Sequence, residues 1–66
     1  MADRTVPDSV AALFAAITGA LEDAAAMAAA AQSIRDRSEA IRAKHQIGYA
    51  LRRIEQQLAK LEALLA

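Results

Sequence analysis

The sequence predicts an all-α chain folded as a helical hairpin, and three features carry that expectation. A single proline stands at position 7, with none after it. Two apolar series follow with alternating steps of three and four residues, the period of helix–helix seams. Between them lies a short polar segment crowded with residues that cap helices. The only aromatic residues are Phe14 and Tyr49, and β-branched residues never alternate, so no strand is expected.

The first helix is expected to begin at Pro7, because proline is tolerated in a first turn and damaging further in. Thr5 or Asp8 is the expected N-cap. Residues 1–7 are read as a disordered N-terminal arm of a single small helical domain spanning 1–66. The seam of this helix runs Val10, Leu13, Ile17, Ala20, Ala24, Met27, Ala31 and Ile34, and the series continues through Ser38 to Ile41. Ala20, Ala24 and Ala31 line its middle and far end, and such small residues let a neighbouring helix approach closely but bury little area per contact.

The turn is placed in the polar stretch from Gln32 to Glu39. Ser33, Asp36 and Ser38 are its candidate N-caps, and Asp36 has Glu39 in the capping-box position. A turn here gives arms of roughly 24 and 28 residues, matched as antiparallel packing requires. Two rivals stay open. The linker has no glycine or proline, and Ile34 and Ile41 keep the phase of the first seam, which fits one long or kinked helix in a coiled-coil assembly. Breaks at Thr18-Gly19 and near Gly48 would instead make three helices. The middle one would have Glu22 and Asp23 at its start and Arg42, Lys44 and His45 at its end, matching the helix dipole.

The second helix carries the bulkier series Ile47, Leu51, Ile54, Leu58, Leu61 and Leu65. The step from Ile41 to Ile47 is six residues where seven would keep phase, so the two series lie on different stripes, with Gly48 at the slip. Leu64 beside Leu65 widens this face beyond what one alanine-lined arm covers. Gln56 and Gln57 border it, and Gln57 is placed to set register.

Composition explains why such a face needs a partner. The chain has 66 residues, 56% of them apolar, but 19 are alanine, which leaves 18 larger apolar side chains. Chains this short seldom build a sufficient core alone. A homodimer, with two hairpins forming a four-helix bundle, is the expected remedy, and Ile47, Leu51, Ile54, Leu58, Leu61 and Leu65 are the expected protein-interface residues. Capture of a different helical protein is the related alternative.

Other chemistries find few residues to use. No cysteine is present, which removes disulfides, thiolate metal sites and a cysteine nucleophile. His45 is the only histidine, and its helical neighbours Ile41, Arg42, Gly48 and Tyr49 are poor metal ligands, so no metal or cofactor is expected. Glu22 and Asp23 point about 100° apart on a helix and do not make a paired-carboxylate site. The two glycines, Gly19 and Gly48, do not form a phosphate-binding loop. A non-enzymatic module acting as an adaptor or regulator is expected.

Net charge is zero, yet residues 1–32 sum to −3 and residues 33–66 to +3. The basic half contains Arg35, Arg37, Arg42, Lys44, Arg52 and Arg53, which would be the contacts of a dimeric nucleic-acid-binding regulator, the alternative function. A neutral chain without aromatic interleaving makes a solvated helix face the simpler account of them. The start lacks the basic region of a secretory signal, and Glu22 and Asp23 interrupt the apolar run from Val10 to Ala31. A cytoplasmic location with no membrane span is therefore expected.

Overall fold

The computed structural model describes residues 5–66, and its architecture is two helices, α1 (Asp8–Ala31) and α2 (Arg37–Leu65), folded back on each other as a hairpin. Neither rival organisation is seen. Gly19 and Gly48 sit inside regular helix, and a Cβ added at either meets nothing within 4 Å. Of the expected arm 1–7, residues 1–4 lie outside the described residues, and Thr5, Val6 and Pro7 are non-helical.

Pro7, rather than Thr5 or Asp8, occupies the N-cap of α1, with φ −59° and ψ 150° and no side-chain capping bond. Its carbonyl accepts from the Val10 N–H at 2.9 Å. Asp8 is instead the first helical residue, where its carboxylate faces the positive end of the helix dipole. The proline ring fixes the entry angle, so the chain enters the helix one residue before the acid.

Gln32–Asp36 closes the hairpin with no residue at positive φ. The last carbonyls of α1 are satisfied by tightened three-residue bonds: Ala29 from Gln32, Ala30 from Ser33 and Ala31 from Ile34. The Ser33 hydroxyl also donates to Ala30, at 3.0 Å. Asp36, one of the three expected caps, then starts α2: its backbone is extended and its Oδ2 accepts from the Glu39 N–H at 3.0 Å.

The core lies in the single seam between the helices. Val10 and Ile17 from α1 meet Ile54 and Leu61 from α2, with Leu13 and Ala20 packed against them. Every member of the expected α1 seam from Val10 to Ile34 is buried or half-buried, and every other described residue up to Ile34 is exposed. Ser38 and Ile41 are exposed because the turn, not a phase slip in one helix, intervenes before them. The molecule measures only 15 × 11 Å across, a layer one helix thick.

Candidate protein interface

On α2 the expected ridge divides. Ile54 and Leu61 are buried and Ile47 half-buried, all turned toward α1. Leu51, Leu58 and Leu65 are between 48% and 53% exposed. The inward positions between Ile47, Ile54 and Leu61 are taken by Ala50 and Gln57, which the sequence pattern passed over for the larger leucines next to them. One residue is about 100° of helical rotation, enough to carry Leu51 and Leu58 off the seam and onto its flank.

The same offset occurs on α1. Phe14 follows Leu13 and Leu21 follows Ala20, and both are about half exposed. A two-fold rotation about the normal to the hairpin plane relates two antiparallel helices, and it keeps equivalent positions on the same side of that plane. Phe14 and Leu21 of α1 therefore share one face of the hairpin with Leu51, Leu58 and Leu65 of α2. The register follows from residues that line common hollows: Leu13 with Lys60 and Leu64 at one end, Ala31 with Ala40, Ala43 and Ile47 at the other. That register sets Phe14 near the level of Leu58, and Leu21 near the level of Leu51.

Toward the turn the face changes character. An open hollow of about 530 Å³ is floored by Ala31, Ala40, Ala43, Ile47 and Gly48, with Lys44 and Leu51 at its rim. The opposite face carries a second apolar hollow beside the termini, between Ser9, Ala12 and Leu13 on α1 and Lys60, Ala63 and Leu64 on α2. The remainder of that face holds Asp23, Gln46 and Arg53, all exposed.

Inside the seam, Gln57 is half-buried and its Oε1 has no hydrogen-bond partner. A polar group so placed lowers stability and favours one packing over others.

Arg35, Arg37, Arg42, Lys44, Arg52 and Arg53 are all exposed, but they do not gather on one face. Arg42 and Arg53 lie within about 20° of each other around α2, whereas Arg37 and Lys44 lie about 140–160° away from Arg42. Arg35 stays in the turn, donating to the Gln32 carbonyl at 3.5 Å, and Arg52 lies over the Tyr49 ring, 5.4 Å from its centroid. Among the described residues no three of His, Cys, Asp and Glu come together as a metal-holding group. His45 lines a shallow surface hollow with Lys44, Gly48, Tyr49 and Arg52.

By length and composition α1 is also long and apolar enough to cross a membrane, and only 17% of its most apolar window is buried within the hairpin. No protein-family model matches the chain, and the searches of curated proteins and of solved structures likewise return no match.

Proposed function

We propose that this protein is a non-enzymatic interaction module whose active form is a dimer of hairpins, a four-helix bundle closed over the face of Phe14, Leu21, Leu51, Leu58 and Leu65. The observation that carries this reading is the placement of those five large side chains. Each is about half exposed, and together they form a row beside the seam. Core-facing helices of bundles carry three apolar positions per seven residues, two for one neighbour and a third for the next. Both helices have that third position, on the same side of the hairpin.

Surface area supports the same reading. The chain exposes 5413 Å², against roughly 4,000 Å² for a compact monomer of this length, a surplus on the order of 1,000 Å². Stable protein–protein interfaces remove about 800 Å² from each partner. Glu22 and Asp23 in the middle of α1 make protein a better cover than lipid for this surface, because a carboxylate at the centre of a bilayer costs about 3 kcal/mol.

Sedimentation equilibrium over a dilution series tests the proposal. A mass of two chains at tens of micromolar, with helicity falling as the dimer dissociates, is the expected result. A folded monomer throughout that range would overturn it.

A further inference from the structure

The apolar face is asymmetric along its length, and the asymmetry specifies how a second copy sits on it. Phe14 and Leu58 form its bulky end, near the termini. Leu21 and Leu51 form its middle. One heptad beyond the middle, toward the turn, the corresponding positions are Ala28 and Lys44, and there the hollow floored by Ala31, Ala43 and Gly48 opens. The bulky level and the hollow level are thus equally far from the middle level, about two helical turns on either side. The middle level also lies near the midpoint of the hairpin itself.

We infer that two copies pair face to face with their long axes antiparallel, about a two-fold axis passing through the Leu21 and Leu51 level, so that Phe14 of each copy fills the hollow of the other. This inference rests on the dimer proposed above and names its geometry. Under that rotation α1 packs along the α1 of the second copy: Phe14 meets Ala28, Leu21 meets Leu21, and Ala28 meets Phe14. Large against small at the ends and equal sizes at the axis keep the helix separation constant, which close-packed interiors require. The parallel alternative lays α1 of one copy on α2 of the other, so that Phe14 sits over Leu58 at one end and hollow over hollow at the other. It wedges one end apart and leaves the other empty.

Charge points the same way. Along the α2 side of the face the bases Arg37 and Lys44 lie toward the turn, and the acids Glu55 and Glu62 lie toward the C-terminal end, all exposed. Antiparallel stacking brings Lys44 of one copy between the levels of Glu55 and Glu62 of the other. Parallel stacking lays α2 on α1 of the other copy, where Lys44 meets Ala28 and neither Glu55 nor Glu62 meets a base, so this charge pairing is lost.

The absence of cysteine from the sequence makes cross-linking a clean test. Single variants Leu21→Cys, Phe14→Cys and Lys44→Cys are each treated with a hexyl-spaced bis-maleimide, and their masses before treatment are read by sedimentation. At the two-fold axis Leu21→Cys links to its own copy, and a mixture of Phe14→Cys with Ala28→Cys links one chain of each. Phe14→Cys alone does not link, because its two copies stand about 22 Å apart along the bundle. Self-linking of Phe14→Cys or Lys44→Cys in a chain that sediments as a dimer overturns the antiparallel geometry and leaves the dimer standing. A monomeric mass for the unsubstituted chain, or its recovery as a monomer bound to phosphatidylcholine vesicles, overturns both. A charge cycle reads the geometry independently: Lys44→Glu weakens dimerisation several-fold, and Glu55→Lys with Glu62→Lys in the same chain restores it. Equal weakening by the single and combined changes contradicts the pairing.

Discussion

Two rows of large aliphatic side chains run along α2 with the same seven-residue period: Ile47, Ile54 and Leu61 in one, Leu51, Leu58 and Leu65 in the other. Their hydrophobicity is nearly equal, and they lie side by side on one helix. The first row is covered by α1, while the second stays half in water. Which row is buried is decided by the register in which α2 returns along α1, not by apolar character. A hairpin has only one seam, so a helix with three apolar positions per heptad always has one position left for another partner.

Equivalent substitutions in the two rows should therefore have different consequences. Ile54→Asp puts an unpaired charge among Val10, Ile17 and Leu61, and we expect the hairpin to lose at least about 4 kcal/mol and unfold at every concentration, seen as loss of the helical circular-dichroism signal. In the proposed dimer, Leu58→Asp acts only where copies meet. It should weaken dimerisation by about 2–4 kcal/mol, and the thermal midpoint should stop depending on protein concentration. Should the two variants behave alike in a concentration series, the rows would not be functionally distinct.

Smaller changes sharpen the contrast. Gln57→Leu removes the unpartnered amide oxygen from the inner row and should raise stability by about 1–3 kcal/mol in urea unfolding. The same change should broaden or double resonances in an NMR spectrum if the glutamine selects one register, because an all-apolar seam slides more readily. Gly19→Ala lies on neither row and meets no neighbour, so its gain of about 0.5–1 kcal/mol should come from helix propensity alone and leave the monomer–dimer equilibrium as it was. An effect of Gly19→Ala on dimerisation would place the interface around α1 and not on the face of Phe14.

How much of this was legible in the sequence differs between the helices. The α1 seam could be read residue by residue because only Phe14 and Leu21 stand out among the alanines beside it, too few to make a competing stripe. On α2, Ile47, Ile54 and Leu61 fit either of two registers. Size argued for Leu51 and Leu58 over Ala50 and Gln57, yet it is the smaller pair that faces α1. The six-residue step from Ile41 to Ile47 looked like a slip within one helix, but the seam had already been interrupted by the turn. The cap at Asp36 was legible because a carboxylate three residues before a glutamate has a specific geometry to satisfy. The hollow above Ala31 and Ala43 was not, since it depends on which alanines of the two helices come together across the turn.

The turn at Gln32–Asp36 also settles where the chain's ends go. Because α2 retraces α1, residues Thr5 and Ala66 leave the molecule from one tip, opposite the loop. In the antiparallel pairing the two tips lie at the two extremities of a strut about 45 Å long. Anything joined to either end of the polypeptide would then be presented in pairs, facing outward in opposite directions and held at a fixed span, so the bundle would act as a molecular ruler between whatever it carries.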